Sequence, residues 1–307
     1  MKKLFLSILG ITTIAVVWTG YHFVVDGTLP ATSSYQTDIE HWRELARASD
    51  ADRPSGIQFE IVGKSDVPGF AVQAGSLRGS VSMVRSVFRL QSDWGDTLID
   101  VGMDAYVAET FNSRDTFYPD PFERVKQVMG DVRRIVVTHE HPDHLGYLPR
   151  HAALDDITDA LRLNSAQIDA SALYTDDMRV PAALAQLTPQ PADAASVIAP
   201  GVVMIPAPGH TPGSVMFFVS MRDNREVLFV GDIVWNMSNL VDAQGRPRLV
   251  QQYLMPQRED RRAVYDQVVA LITIMTENKN LTVLPSHDEA HLARLVADGL
   301  LSETFSN

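Results

Sequence analysis

The stretch Thr138-His139-Glu140-His141-Pro142-Asp143-His144-Leu145-Gly146, THEHPDHLG, places three histidines and Asp143 within six positions of a chain that has only nine histidines. In a helix, residues two apart point roughly 200° away from each other, so His139 and His141 could not share an ion there. In an extended segment they lie on the same side. Pro142 lacks the amide hydrogen that a helix interior needs. The spacing therefore predicts a loop leaving the strand VRRIVVT, with His139 and His141 able to hold one metal. Asp143 and His144, past the bend, face a second position.

Three further residues stand in the same context, a polar side chain just after an apolar strand. His210 follows VVMIPAPG, Asp232 follows EVLFVG and His287 follows LTVLPS. In open sheets, sites form at the carboxyl ends of strands. Four strand ends thus deliver five histidines and two aspartates, and Gly209, Gly213 and Gly231 beside them are expected to let the backbone approach the metals closely. His22, His41, His151 and His291 have no matching motif and are expected to be structural or surface residues.

The order HEHPDH, GHTPG, GD, SHD resembles the metallo-β-lactamase fold superfamily, over roughly residues 56 to 301. The resemblance implies an α/β fold, an αββα four-layer sandwich of two mixed β-sheets flanked by helices, with a metal site along one edge. It implies that His139, His141 and His210 bind the first metal, that Asp143, His144 and His287 bind the second, and that Asp232 bridges both. It also puts Asp100, in LIDVG, in the layer behind the ligands. Two divalent ions are expected, zinc first, with iron, manganese or cobalt also suited to nitrogen and oxygen ligands.

The chemistry implied is hydrolysis of a small ester or lactone by a hydroxide shared between two metals, with a catalytic role for Asp143 in orienting the nucleophile and moving a proton. The alternatives are a thioesterase resembling glyoxalase II, a phosphoesterase or phosphotriesterase, or a non-catalytic metal-binding protein. Most β-lactamase branches lack the bridging aspartate that Asp232 would supply, and one uses a cysteine ligand. The flavodiiron branch has glutamate where His141 stands. Only about one helix follows His287, too little for a glutathione-binding domain. Homoserine-lactone enzymes often carry a tyrosine three residues after the bridging aspartate. Here it is Trp235, which can stack or wall off an apolar pocket. Other pocket residues are expected from RDTFYPDPF (114–122) and the loop Leu240 to Leu254.

Composition agrees with a small-molecule enzyme. The chain has 307 residues, enough for a sizeable core, with 45% hydrophobic and 21% charged residues. A net charge of −12 repels polyanions, which argues against nucleic acid as a partner. With no cysteine, disulfides, thiolate metal ligands and a cysteine nucleophile are all excluded. A small-molecule substrate is the expected partner, and the oligomeric state is open.

Lys2 and Lys3 precede a mostly apolar run from Leu4 to Val25. As a helix it would be about 33 Å long. This predicts a membrane anchor over residues 1–26, or a cleaved signal peptide, with the rest exported and acting outside the cytoplasm. Residues 27–55 read as a linker and a helix, YQTDIEHWRELARAS, and residues 56–307 as the hydrolase domain. Within it, strands are expected at IQFEIVG, SVSMVRSVFRLQS, DTLIDVG, VRRIVVT, GVVMIPAPGH, SVMFFVS, EVLFVGD and LTVLPSHD. Helices are expected at PFERVKQVMG, DDITDALRL, MRVPAALAQL, REDRRAVYDQVVALITIMT and EAHLARLVADGL.

Overall fold

The computed structural model describes residues 2–48, 52–111 and 114–306. Its strands are β1 (Gly56–Val67), β2 (Val81–Gln91), β3 (Thr97–Ile99), β4 (Thr116–Phe117), β5 (Arg134–Val136), β6 (Leu161–Arg162), β7 (Ser196–Ala199), β8 (Val202–Pro206), β9 (Val215–Ser220), β10 (Glu226–Gly231), β11 (Leu281–Pro285) and β12 (Ser302–Glu303). One sheet has the order β12-β1-β2-β3-β5-β6, with β4 also paired to β1. The other runs β11-β10-β9-β8-β7. Both are mixed. β3 pairs parallel with β5, and β10 with β11, whereas β1–β2 and β8–β9 are antiparallel.

Period-two alternation sorts the apolar side chains onto faces. From β10, Val227 and Phe229 enter the core between the sheets, while Leu228 and Val230 face outward under a helix layer. The inter-sheet core joins Ile57, Phe59, Phe88 and Ile99 from the first sheet to Met204, Phe217 and Val219 from the second. Helix Pro119–Met129 covers the first sheet's outer face with Phe122, Val125 and Met129. Helix Arg261–Glu277 covers the second with Val264, Val268, Leu271 and Ile274. The result is the expected αββα sandwich of two mixed sheets. Phe88, fully enclosed, meets the Phe229 ring edge-on at 5.1 Å. Phe88→Ala is expected to cost about 3–5 kcal/mol of stability, read as a lower urea midpoint.

The expected helix at 35–49 forms over Ile39–Arg47, and Ser49 at its expected end lies outside the described residues. Asp38 caps it by accepting from the His41 amide, and Trp42 and Ala46 insert into the outer core of the second sheet. The middle of the chain departs from expectation. DDITDALRL forms a 3₁₀ segment, Leu154–Ala160, and then the two-residue strand β6; MRVPAALAQL keeps only the short helix Ala182–Ala185.

The N-terminal segment forms a helix over Lys2–Gly20 and a π-turn over Tyr21–Val25. No helix among the described residues is long and apolar enough to cross a membrane, so the expected anchor finds no support in the structure. The end of the segment lies against the sandwich. The Gly75 amide donates to Val24 O at 3.1 Å, Arg261 donates to Asp26 O at 2.9 Å, and the rings of Phe23 and Tyr253 lie 5.9 Å apart.

Candidate metal centre

Five strand ends build the site. β8, β10 and β11 run in one direction in the second sheet, and β3 and β5 run parallel in the first. His210, Asp232 and His287 therefore emerge from one edge, and Asp100 and the THEHPDH segment meet them there. Pro142 opens a short helix, Pro142–Leu145, where its missing amide costs nothing. The expected loop is thus a helical turn from Pro142 onward, and it carries Asp143 and His144.

Among the described residues, two groups have ligand atoms within 4.8 Å of one another: His139, His141, His210 and Asp232, and Asp143, His144 and His287. All seven are buried. His141 Nδ1 lies 3.1 Å from His139 Nε2 and 2.9 Å from His210 Nε2. Asp232 stands between the groups. Its Oδ2 is 3.5 Å from His210 Nε2 and 3.8 Å from His139 Nε2; its Oδ1 is 3.5 Å from His144 Nε2; and His287 Nε2 lies 2.9 Å from Oδ1 and 3.0 Å from Oδ2. Asp143 Oδ2 lies 3.6 Å from His144 Nε2 and 3.7 Å from His287 Nε2.

This donor set fits a pair of cations. Burial, with the neighbouring histidines, drives His139 far below the usual histidine range and lowers His141 to about 3, so both rings are neutral and carry lone pairs. His141 Nε2, His144 Nε2 and Asp232 Oδ1 are buried without a hydrogen-bond partner, a costly state that bound ions would relieve. The outward nitrogens are occupied. His144 Nδ1 is 2.8 Å from Asp100 Oδ2, His210 Nδ1 is 2.6 Å from Glu259 Oε1, and His287 Nδ1 is 2.6 Å from Val84 O. With those nitrogens turned outward, each Nε2 faces inward, where an ion would take the place of a proton, the usual arrangement behind metal-ligating histidines. Burial opposes ionisation of Asp232, but His287, His144 and His139 outweigh it and hold the carboxyl far below its ordinary range.

Burial also opposes charge on His144, yet Asp100, Asp143 and Asp232 together push it up to about 9. A folded value above the unfolded one, near 6.5, stabilises the fold below about pH 6.5. That stability is lost as pH rises through about 9. The metal-free protein is therefore expected to melt at a lower temperature at pH 9.5 than at pH 6.5. Asp100→Asn should flatten that difference, which a thermal scan across pH would show.

Asp100 adopts φ 65°, an uncommon backbone for a residue with a side chain. Its carboxylate accepts from Thr138 N at 2.7 Å as well as facing His144, so it joins the end of β3 to the histidine segment. The glycines have other reasons than closeness to a metal. A Cβ on Gly213 would lie 2.6 Å from Glu140 Oε2, and one on Gly231 would lie 3.0 Å from Thr138 Cβ. A Cβ on Gly209 would press on the start of helix Arg261–Glu277. Glu140, between the two histidines, accepts from the Gly213 amide at 3.0 Å and from Thr211 Oγ1 at 2.6 Å, pinning the His210 loop.

A cavity of about 240 Å³ opens onto His141, Asp143, Asp232 and His287, with walls that include Val67, Met83, Phe111, Trp235, Leu254 and Met255. Of the expected pocket segments, 114–122 contributes no wall residue and the 240–254 loop contributes only Leu254. Residues 116–117 are instead taken into β4, and helix Pro119–Met129 turns its apolar side to the core. Trp235 does line the cavity, and its indole also donates to Asp232 Oδ2 at 2.9 Å.

Arg85, Arg246 and Glu259 carry no motif and sequence reasoning missed them. Arg85 Nε lies 2.7 Å from Asp115 and 3.1 Å from Asp143. Burial works against its charge, but the two aspartates keep it firmly protonated. Burial likewise opposes ionisation of Glu259, and Arg246 and His210 pull it down to about 2. Of the remaining histidines, His151 meets the Tyr147 hydroxyl, His291 meets Val283 O, and His22 stacks on Trp18. None of these reaches the site.

Residues 84–287 match the family described as the metallo-beta-lactamase superfamily. No curated protein matches the sequence. Among solved structures, an N-acyl homoserine lactone hydrolase with the product N-hexanoyl-L-homoserine at its catalytic metal center superposes with a TM-score of 0.57. It is 17% identical, over 79% of this chain and 96% of that one. A mutant AiiA of B. thuringiensis, with N-decanoyl-L-homoserine bound at the active site, gives 0.58 at 18% identity over 79% and 96%. A probable metal-dependent hydrolase from Staphylococcus aureus gives 0.56 at 14% over 77% and 91%. At these identities the likeness is one of fold. The family match, covering about two thirds of the sequence, establishes that the chain belongs to the metallo-beta-lactamase superfamily and is a metal-dependent hydrolase.

Proposed function

We propose that the protein is a dinuclear hydrolase of small esters or lactones. The observation that carries the two-metal reading is Asp232, whose carboxylate lies between the two groups, with Oδ2 within 3.8 Å of His139 and His210, Oδ1 3.5 Å from His144, and His287 Nε2 about equally far from both oxygens. His139, His141 and His210 would hold one ion, Asp143, His144 and His287 the other, and Asp232 both. Nitrogen and oxygen donors suit zinc, and also iron, manganese or cobalt. Two such ions lower the pKa of water and draw charge from an ester carbonyl.

The chain's own residues do the rest. Burial opposes ionisation of Asp143, but His144, Arg85 and His287 outweigh it, so its carboxylate is ionised and able to orient the attacking water by accepting its hydrogen bond; passing on the proton would be its second task. Met83, Val67 and Trp235 keep bulk water from the reacting bond. The cavity lies below the usual range of about 300–1,000 Å³ for drug-sized ligands, which favours a small substrate. Lactone chemistry in the similar folds adds to that preference. Export, with the domain acting outside the cytoplasm, is part of the proposal on the strength of Lys2, Lys3 and the apolar run after them.

The test is a panel of lactones, oxoesters, thioesters, β-lactams, phosphodiesters and phosphotriesters offered to the metal-loaded protein. Turnover of lactones or oxoesters, lost with a chelator, is expected. Turnover confined to phosphoesters would overturn the substrate class, and two bound ions with no turnover would overturn the enzymatic reading. Cell fractionation tests export separately.

A further inference from the structure

We infer that Trp235 is a positioning residue of the metal centre, the donor that fixes the rotation of the Asp232 carboxylate and so sets the affinity for the ions. The inference rests on the reading of Asp232 as the shared ligand.

The geometry is a clamp on one residue. The Trp235 indole donates from Nε1 to Asp232 Oδ2 at 2.9 Å. The Arg246 guanidinium lies over the indole, 4.8 Å from its centroid, within cation–π range. Arg246 also donates from Nη1 to the main-chain oxygens of Asp232, at 2.8 Å, and Ile233, at 3.1 Å. A stacked pair thus holds Asp232 by its backbone and by its carboxylate. The far side of Arg246 donates to Glu259 Oε1 at 2.5 Å, and Glu259 faces His210 Nδ1, so the same cation steadies a ligand of the first group. Both Trp235 and Arg246 are buried.

An aspartate side chain turns about two bonds, and a shared ligand must present one oxygen to each ion. The indole settles the rotation by engaging Oδ2, the oxygen nearer His139 and His210, which His287 Nε2 also reaches at 3.0 Å, and it leaves Oδ1, which has no hydrogen-bond partner, toward His144 and His287. An indole N–H suits this task because it only donates. It cannot compete with Asp232 as a ligand.

Zinc binding measured by calorimetry and competition with a chromophoric chelator tests this without any substrate. Trp235→Phe removes the donor and keeps most of the ring volume. The expected result is zinc affinity lower by about 10- to 100-fold, the usual cost of losing an outer-shell partner, with the melting temperature of the metal-free protein little changed. Trp235→Tyr, which regains a donor, should fall between Trp235→Phe and wild type. In wild-type protein, the indole N–H resonance of Trp235, identified by its absence from either variant, should move when zinc is added. Should Trp235→Phe fail to fold, that resonance and Trp235→Tyr decide the matter. Unchanged zinc affinity in a folded Trp235→Phe, or an indole resonance blind to zinc, would overturn the inference while leaving the two-metal reading intact. Wild-type protein that takes up no pair of ions would overturn both.

Discussion

Replacing Asp232 by alanine should leave at most one ion per chain and cut hydrolysis by more than the roughly 100-fold that bounds outer-shell changes. Among the described residues, Asp232 is the carboxylate that lies between the two groups, within 3.8 Å of His139 and His210 on one side and of His144 and His287 on the other. Its loss removes a ligand from each ion at once. It also removes the anion that offsets the mutual repulsion of two nearby cations. Metal analysis of Asp232→Ala beside wild type, with turnover of the best panel substrate, gives both numbers. The variant's metal-free form should fold, because Asp232 sits at the end of β10 and not in the core between the sheets. A variant that kept two ions and ordinary turnover would remove Asp232 from the centre.

Arg85→Leu is expected to be strongly destabilising, by about 3–5 kcal/mol, because it removes the buried cation that two buried carboxylates share. Arg85 makes a two-point contact with Asp115, at 2.7 and 3.0 Å, and reaches Asp143 at 3.1 Å. Without the cation, Asp143 loses one of the charges that hold its carboxyl ionised, so the variant should bind metal more weakly at low pH as well. A urea titration of wild type and Arg85→Leu, both metal-free, measures the first effect. The second appears as a steeper fall in metal content between neutral and acid pH. An unchanged urea midpoint would show that the two aspartates do not need Arg85.

What the sequence made legible follows from period and punctuation. The two-residue spacing of His139 and His141, with Pro142 blocking a helix interior, placed that segment beyond a strand end. The apolar runs before His210, Asp232 and His287 brought those residues to the same edge, and the structure sets all seven together. The long strands and amphipathic helices were legible because each buries one face. The middle of the chain was not. Leu154–Ala160 is a 3₁₀ segment, and its neighbours owe their shape to tertiary contacts. Asn164 and Gln167, for instance, cap a short helix reciprocally and also donate to Gly213 O.

The supporting layer was illegible for the same reason. Glu259 sits in an irregular stretch before a helix, and nothing in REDRRAVY says that its carboxylate will reach His210 across 49 residues. Arg85 lies in a strand whose pattern of apolar residues gives no sign of a buried ion pair. The reading of Trp235 as a wall captured its apolar face and missed its N–H. The reading of Gly213 as room for a metal missed the Glu140 carboxylate that occupies that room.

The two-ion centre is tested most directly by metal analysis of the purified protein together with anomalous diffraction at the metal edge. The account predicts two ions per chain, one among His139, His141 and His210, the other among Asp143, His144 and His287, both touching Asp232. A single ion, or ions bound elsewhere with these seven side chains free, would contradict it.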